Sequence, residues 1–323
     1  EIRRRESPQS FKEQILEFHK NRYTVRVPEV RSVTPDLDRF VRALELIFQT
    51  EAEAVAFWSD SEGAAPVHHD NYDIFVVQVL GKKKWFISTE PSSMPNRWQV
   101  IPEGVPRLDH YQEVEVNVGD VLYIPRGTTH RVEGLAESIH ISIGFTPVTL
   151  REAVVACIDR LSDLSQPLRE IVDANIASKA PRGEFGTLGD RVRENVAMLL
   201  EYCKSDAFIF EAMHRRSSKI IGDLKAIRAT GEAPELTLDT RVRHSPLAVS
   251  HISGNERLID FAYPGAHRYI HRGAESSVAF MAQTSEFAVR DVPGGLDDNV
   301  RLALIREFVA NGFLEKVPET GHS

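Results

Sequence analysis

The sequence predicts an α+β protein in which a barrel or sandwich of antiparallel strands lies between helical segments. Two patterns predict this class. From about residue 52 to 147, short apolar or alternating runs are separated by turn residues, as in strands. Before and after this region, apolar residues recur at helical spacing. With 323 residues, the chain is long enough for one or two cores of ordinary size and a small appendage.

We expect two helices before the strands, within residues 8–49, because apolar residues recur there every three or four positions. The residues of these apolar faces are Phe11, Ile15 and Phe18 in the first helix and Phe40, Leu44 and Ile47 in the second. The strands that follow are expected at 54–58, 73–79, 84–88, 113–118, 121–124 and 138–145.

The pattern returns to helix after Pro147, and we expect helices as far as about residue 229. Residues 230–235 have the composition of a linker. The strand-like runs behind it lie near 247–250, 257–261 and 277–281. A last helix is expected over 297–314, with Asn311-Gly312 as its stop signal.

Composition excludes several classes of protein. The net charge of −8 and pI of about 5.9 give no general attraction for nucleic acid. No apolar run approaches the roughly 18 residues of a membrane span. Cys157 and Cys203 lie in apolar, helix-like stretches, so we expect buried thiols and a cytoplasmic location. The chain starts at Glu1 without a Met or a signal peptide, so we expect a trimmed N-terminus.

The segment Pro66-Val67-His68-His69-Asp70 carries a candidate metal site. His68 and Asp70 are two residues apart, so on an extended chain both side chains point to the same side. By itself this spacing is weak, because the chain has 12 histidines. The run G-D-V-L-Y-I-P-R-G-T-T-H is more specific, since a turn, a buried strand and a strand stop lead to His130. His130 is therefore the expected third ligand.

Two imidazoles and one carboxylate form a facial triad, which leaves positions on an octahedral metal open for substrate and O2. Non-haem Fe(II) oxygenation needs this arrangement. A structural zinc site would instead fill four positions, mostly with Cys and His, and no cysteine is near this cluster.

A 2-oxo acid that chelates the iron needs a cation for its far carboxylate, and Lys82, Lys83 and Lys84 follow the first motif. Because strand residues alternate between faces, Lys82 and Lys84 share one face and Lys83 takes the other. We select Lys83 as the inward cation. The alternative is that all three lysines lie in a solvated turn.

The segments H-x-D, D-I-F-V-V-Q-V-L-G-K-K-K-W-F-I, G-D-V-L-Y-I-P-R-G-T-T-H and S-I-H-I-S-I-G-F resemble the JmjC-type ribosomal oxygenases, a branch of the 2-oxoglutarate-dependent oxygenases. The resemblance implies a double-stranded β-helix of the cupin or jelly-roll type, a helical dimerisation region and a winged-helix-like unit. The domains expected from it are N-terminal helices at 1–51, the barrel at 52–149, the dimerisation region at 150–229 and the winged-helix-like domain at 236–323.

The resemblance also implies roles for single residues. His68, Asp70 and His130 would bind Fe(II), and Lys83 would bind the distal carboxylate of 2-oxoglutarate. The other residues expected to line the cofactor pocket are Ser142, His140 and Gln78. A buried core histidine is the alternative for His140, and His69 is expected to face away from the metal.

Two features depart from the family pattern. The run before the H-x-D motif is shorter than usual, so we expect the N-terminal part to be missing or reduced. An aromatic hydroxyl that some members carry, about where Ala56 lies, is absent. Both differences concern contacts with substrate and cofactor and leave the triad intact.

The function implied is hydroxylation of an amino-acid side chain in a protein by a homodimer, with a ribosomal protein as a candidate substrate. Two alternatives remain open. One is an oxygenase of a small molecule or a peptide natural product, and the other is a metal-binding cupin without turnover. We expect no membrane partner. We also expect no nucleic-acid partner, because basic residues of the C-terminal region are scattered among acidic ones.

Overall fold

The computed structural model describes residues 10–92, 94–95, 106–172, 186–227 and 235–318. The chain divides into two compact units, residues 1–147 and 148–323. The division coincides with Pro147, where the strand pattern of the sequence gives way to a helical one. In the part of the chain that is described, no helix combines the length and apolar content needed to cross a bilayer.

Two helices open the first unit, as predicted. They are α1 (Phe11–Lys20) and α2 (Pro35–Phe48), and a short strand, β1 (Val25–Val27), lies between them. The Thr34 side chain accepts a hydrogen bond from the Leu37 N–H, which caps α2 where Pro35 begins it.

Of the three residues predicted for the apolar face of α2, only Leu44 is buried. Phe40 is 38% exposed and Ile47 is 69% exposed, whereas Val41 and Leu44 are buried. The helix also buries Arg42 and Glu45, which form an ion pair. Counting apolar side chains alone could not find this face, because two of its four buried positions are charged.

Two antiparallel sheets form the rest of the first unit, and this β core agrees with the predicted cupin-type fold. One sheet has the order β1-β2-β9-β4-β7 and the other β3-β8-β5-β6. The strands are β2 (Ala52–Ser59), β3 (Ala64–His68), β4 (Asp73–Leu80), β5 (Lys83–Ser88), β6 (Tyr111–Val116), β7 (Val121–Ile124), β8 (His130–Gly134) and β9 (Ser138–Phe145). The sequence prediction missed the three short strands β1, β3 and β8, of which the last two carry the candidate ligands His68 and His130.

The two sheets enclose an apolar core at one part of the barrel interior. Its buried residues are Ile74, Val76, Trp85, Ile87, Val116, Ile124 and Val132. The opposite face of the larger sheet packs on α2 through a second cluster that includes Val41, Leu44, Ala54 and Ile143. Alternation along each strand thus gives one set of side chains to the barrel and the other to the helix.

The turn between β4 and β5 depends on Gly81, whose φ is +61°. A Cβ at this position would lie 2.0 Å from the carbonyl oxygen of Glu137, so only glycine fits. The length of this turn therefore determines which of the following lysines faces the barrel interior.

The second unit begins with helices α3 (Leu150–Leu164), α4 (Gly186–Tyr202) and α5 (Asp206–Asp223). Their shared core contains Ala156, Cys157, Leu161, Phe208 and Ala212. Both cysteines are free thiols, Cys157 buried and Cys203 partly buried. The helical character predicted for this region is confirmed over the three described helices.

The end of the second unit mixes strands and helices. Two three-stranded sheets, β14-β10-β15 and β11-β12-β13, accompany two helices. The elements are β10 (Arg241–His244), β11 (His251–Gly254), β12 (Leu258–Tyr263), β13 (Ala266–His271), α6 (Glu275–Gln283), β14 (Glu286–Ala288), α7 (Asp298–Ala310) and β15 (Leu314–Lys316). Their core is rich in aromatic residues, including Phe261, Tyr263, Phe308 and Phe313.

Two strand predictions fail in this region. Residues 277–281 belong to the helix α6, and 247–250 lie in a turn and loop before β11. A short apolar run fits a buried helix as well as a strand, which explains the first error. The predicted stop of α7 is confirmed, with Asn311 as its C-cap and Gly312 at φ +74°. Most of the predicted linker, residues 230–234, falls outside the described residues.

Candidate active site

The structure brings His68, Asp70 and His130 together. His68 ends β3 and His130 begins β8, and the two residues face each other in the antiparallel register. Their ring centroids are 4.3 Å apart, and the Nε2 of His130 lies 3.9 Å from Oδ2 of Asp70. The potential ligand atoms of all three residues lie within 4.8 Å of one another. This spacing allows all three to bind one metal ion.

Both imidazoles are oriented by backbone carbonyls. The Nδ1 of His68 lies 2.7 Å from the carbonyl oxygen of Pro66, and the Nδ1 of His130 lies 2.9 Å from that of Thr128. Because a carbonyl only accepts, each Nδ1 must carry the proton, which leaves the Nε2 lone pair for a metal. Burial lowers the pKa of His130 and so favours the neutral ring that metal binding requires.

The loop after β7 fixes the position of Asp70. The N–H of Gly127 donates to the carbonyl oxygen of Asp70 at 2.8 Å. Gly127 has φ +74°, which favours glycine here. Tyr123 and the N–H of Arg126 both donate to the carboxylate of Asp73. The Pro-Arg-Gly turn of the second motif therefore holds the H-x-D loop of the first.

Lys83 points into the barrel and is the lysine that we selected as the inward cation. It is 2% exposed, whereas Lys82 pairs with Glu115 at 3.2 Å and Lys84 with Glu113 at 3.1 Å on the outer face. The alternative of three solvated lysines is therefore wrong for Lys83.

The described partners of the Lys83 ammonium are neutral groups. Its Nζ donates to Oγ of Ser59 at 2.8 Å and to Nδ1 of His140 at 2.9 Å. No carboxylate among the described residues forms an ion pair with it. Burial lowers the pKa of Lys83 to about 8, and burial together with the charge of Lys83 lowers the pKa of His140 to about 3. His140 is thus neutral at physiological pH.

The other residues predicted for the pocket lie on the same inward face of the larger sheet. Gln78 and Phe57 are the register neighbours of His140 on its two sides, and Ser142 follows two residues along β9. His69, by contrast, is not part of the ligand cluster among the described residues. Ala56 packs in the cluster beneath α2, so the inward residues of β2 next to it are Val55 and Phe57, neither of which has a hydroxyl.

Several buried polar atoms around Lys83 have no hydrogen-bond partner in the described structure. They are Oε1 of Gln78, Nε1 of Trp85 and Oγ of Ser138. Buried polar groups are nearly always satisfied, so unpartnered atoms beside a buried ammonium point to a polar ligand.

The sequence analysis did not identify Ser59 or Ser138 as pocket residues, or Trp85 as a hydrogen-bond donor in the pocket. Ser59 lies directly opposite Ser138 in the β2–β9 pairing, so both serines face the pocket. Alternation along β2 and β9 offered a weak signal for them. The decisive information is the register between strands far apart in sequence, which a single chain does not reveal.

Residues at the metal end of the barrel were also missed. The ring of Tyr72 lies against Gly144, where a Cβ would approach it within 3.0 Å, and Glu53 is the register partner of Gly144 on β2. Tyr72 is 44% exposed. Burial and the charge of Asp70 raise the pKa of its hydroxyl, so Tyr72 remains a hydrogen-bond donor beside the triad.

The comparisons with known proteins agree with this geometry. Residues 28–153 match the family model of the JmjC domain. Ribosomal oxygenase 2 of Rattus norvegicus is 30% identical over 135 residues, which cover 39% of this chain and 28% of that protein. The bifunctional lysine-specific demethylase and histidyl-hydroxylase NO66 of Drosophila simulans is 26% identical over 191 residues, which cover 55% of this chain and 21% of that protein. The chain thus spans about a quarter of the length of these relatives.

Solved structures support the fold over most of the chain. The crystal structure of the Escherichia coli ribosomal oxygenase YcfD has a TM-score of 0.51 at 17% identity, and the match covers 91% of this chain and 78% of that one. A YcfD structure in complex with cobalt and succinic acid matches over the same shares with a TM-score of 0.50. Residues 28–153 of this chain are thus similar to the JmjC domain, and the resemblance to the JmjC-type ribosomal oxygenases is confirmed.

Proposed function

We propose that this chain is an Fe(II)- and 2-oxoglutarate-dependent oxygenase that hydroxylates an amino-acid side chain in a protein. One observation carries the proposal. A two-histidine, one-carboxylate cluster and a buried lysine without a countercharge face the interior of the same barrel. The first fits a metal with open coordination positions, and the second fits an anion.

The donor set fits Fe(II). His68 and His130 offer Nε2 lone pairs, and Asp70 offers a carboxylate oxygen, which is the combination typical of non-haem iron oxygenases. When bound, iron and 2-oxoglutarate would supply the oxidising capacity that places one oxygen atom of O2 in a substrate C–H bond, with succinate and CO2 as the other products. The two backbone carbonyls would hold the imidazoles in the binding orientation.

The surroundings of Lys83 fit a dicarboxylic acid. A buried ammonium with neutral partners is costly, and a carboxylate would provide the missing countercharge. Lys83 would bind the distal carboxylate of 2-oxoglutarate, while Ser142, His140 and Gln78 would line the pocket between Lys83 and the triad. The unpartnered atoms of Trp85 and Ser138 would donate further hydrogen bonds to the ligand.

The barrel itself would orient the reactants and exclude water. Trp85, whose ring contacts those of His130 and His140, and the apolar core beside it would limit the access of water to the triad and Lys83. Holding the 2-oxo acid at both ends would place the reacting groups in one geometry, which is the main contribution of a protein to such chemistry. The chain need not supply an acid or base of its own beyond the metal ligands.

A protein substrate is supported by the names of the relatives, which include ribosomal oxygenase and histidyl-hydroxylase. An acidic chain, with a net charge of −8, would also attract basic proteins such as those of the ribosome. At the metal end of the barrel, the exposed ring of Tyr72 and the polar side chain of Glu53 would contact the incoming side chain.

A homodimer is supported by unpartnered apolar stripes on two helices of the second unit. Leu150, Val154 and Ile158 repeat every fourth residue along α3 and are exposed. Val192, Val196 and Leu200 do the same along α4. Stripes of this spacing form helix–helix interfaces. A Val196→Asp variant is expected to run as a monomer by multi-angle light scattering, while the parent chain runs as a dimer.

We also propose that residues 236–323 are a winged-helix-like module for protein interaction rather than for nucleic acid. Three of its arginines are already neutralised, because Arg241 pairs with Glu286, Arg243 with Glu315 and Arg290 with Asp239. Few free cations then remain for phosphates. A cytoplasmic location, supported by the free thiols of Cys157 and Cys203, belongs to the same proposal.

The experiment combines the purified chain, Fe(II), ascorbate and 2-oxoglutarate with fractionated lysate proteins, and mass spectrometry identifies proteins that gain one oxygen. The gain should require both Fe(II) and 2-oxoglutarate and should be absent with an Asp70→Ala variant. Oxygen gain only in small metabolites or short peptides would favour the second alternative. If the chain neither binds 2-oxoglutarate nor forms succinate, it is a cupin without turnover.

A further inference from the structure

The Lys83 ammonium is held from two sides by the chain itself. An ammonium has three N–H donors. Two are engaged by Oγ of Ser59 and Nδ1 of His140, at 2.8 and 2.9 Å. One donor therefore remains for a ligand, and its direction is set by the other two.

His140 cannot easily move. Its ring stacks on Phe57 with centroids 5.0 Å apart and planes 12° apart, and it meets the edge of Trp85 at 5.6 Å. It lies in the central part of β9, where the backbone is paired with β2 on one side and β4 on the other. Ser59 ends β2, where it is paired with Ser138 of β9.

The side chain of Lys83 would be mobile without these two contacts. Its four-carbon stem has many rotamers, and the ammonium could withdraw along the pocket or advance into it. The distance between the cation and the triad would then adapt to ligands of different length. With both contacts in place, that distance is a fixed property of the barrel.

We propose that His140, together with Ser59, is a positioning residue that holds Lys83 at one depth and so makes the pocket select a five-carbon 2-oxo diacid over a six-carbon one. This inference rests on the proposed function and adds a determinant of cofactor length to it. His140 acts through Lys83 by accepting its hydrogen bond, and contact with the metal is not required.

The test measures binding rather than turnover. The full chain is loaded with Mn(II), and 2-oxoglutarate and 2-oxoadipate are titrated separately by calorimetry, with tryptophan fluorescence as a second readout. The variants are His140→Ala, which removes the acceptor, and His140→Asn, whose Oδ1 can replace Nδ1. Lys82→Ala, next to Lys83 and paired with Glu115 outside the barrel, is the matched control.

The parent chain is expected to prefer 2-oxoglutarate by about tenfold or more, because a misplaced charged hydrogen bond costs about that much in affinity. His140→Ala should lose about tenfold in 2-oxoglutarate affinity and bring the ratio of the two affinities close to one. His140→Asn and Lys82→Ala should keep the parental ratio. Ser59→Ala, with one contact removed, should shift the ratio in the same direction by less.

An unchanged preference for 2-oxoglutarate in folded His140→Ala and Ser59→Ala proteins, checked by thermal melting, would overturn the inference while leaving the proposed function intact. Equal loss of preference in His140→Asn and His140→Ala would also overturn it, because the acceptor would not be the relevant group. If the Mn(II)-loaded parent chain binds neither diacid, the proposed function fails and the inference fails with it.

Discussion

Two buried charged clusters in the first unit differ in how their charge is balanced. Arg31 lies 2.9 Å from Glu45 and 2.7 Å from Asp38, and Arg42 lies 3.0 Å from Glu45, so two cations meet two anions. Lys83 is buried just as deeply, yet its described partners are the neutral Ser59 and His140. Two clusters that are equally buried thus differ in whether their charge is balanced by other residues of the described chain.

The pKa values of Arg31 and Lys83 reflect this difference in charge balance. Burial alone would lower the pKa of Arg31, but hydrogen bonds and the charges of Glu45 and Asp38 raise it above its ordinary value. Burial lowers the pKa of Lys83 to about 8, because no charge in the described structure opposes it. A charged cluster that is balanced internally needs no ligand to compensate its charge, whereas one that lacks its countercharge is prepared for a ligand.

The largest effect is expected at the triad. Asp70→Ala should remove metal binding and lower turnover by at least about 1,000-fold, because a required ligand is lost. Metal content by mass spectrometry and succinate formation measure the two losses. The melting temperature should change little, since Asp70 is partly exposed and at the ligand end of the barrel. If this variant unfolds instead, the triad is required for the stability of the fold, as the cluster around Glu45 is.

Glu45→Ala should lower the free energy of unfolding by about 3–5 kcal/mol, because it leaves two buried arginines without their shared partner. Denaturant titration measures this change. Glu62→Ala, which breaks the exposed pair with Arg22, is the matched control and should cost less than about 1 kcal/mol. Cofactor affinity of the folded protein should be the same in both variants. A loss of 2-oxoglutarate affinity in Glu45→Ala would show that the cluster around Glu45 also contributes to ligand binding.

Lys83→Met should act in two opposite directions. Affinity for 2-oxoglutarate should fall about 100-fold, the usual loss when a buried carboxylate loses its cation. The ligand-free protein should become more stable by about 1–3 kcal/mol, because an uncompensated buried charge is removed. Lys82→Ala should change neither quantity. If Lys82→Ala or Lys84→Ala lowers the affinity instead, the assignment of faces along β5 is wrong.

The smallest effect is a dependence on pH. Between about pH 8 and 10.5 the unfolded chain keeps a proton on Lys83 that the ligand-free folded chain has lost, so this group makes the free energy of unfolding rise with pH. Affinity for 2-oxoglutarate should move the other way and fall about tenfold per pH unit above pH 8, as the ammonium is lost. Both quantities are measured against pH for the parent and the Lys83→Met chains, and the difference between the two chains gives the contribution of Lys83. If the two chains show the same pH dependence, Lys83 does not titrate in this window.

Much of the barrel was predictable because its signals are local. Alternation and turn residues gave six of the strands close to their bounds, and the spacing of His68 and Asp70 needed only the geometry of an extended chain. The same alternation placed Lys83 opposite Lys82 and Lys84, and the burial of Lys83 agrees with its selection as the inward cation.

What could not be predicted depends on contacts between distant segments. The bond from Lys83 to His140 and the pairing of Ser59 with Ser138 require the register of β2, β9 and β5, which a single sequence does not encode in readable form. The buried face of α2 was missed for a related reason, since Glu45 is buried against Arg31, a partner from outside the helix. The helix over 277–281 shows that short apolar runs do not specify their own secondary structure.

The number of residues in the turn at Gly81 decides which side chains of β5 face the barrel interior. Adding or deleting one residue between β4 and β5 would still leave a lysine facing inward, because positions 82, 83 and 84 are all lysine. The same change would rotate Trp85 and Ile87 to the outside and bring Phe86 into the barrel. A homologue that keeps three lysines but differs by an odd number of residues in the connection between β4 and β5 would therefore look intact in an alignment and lack the pocket.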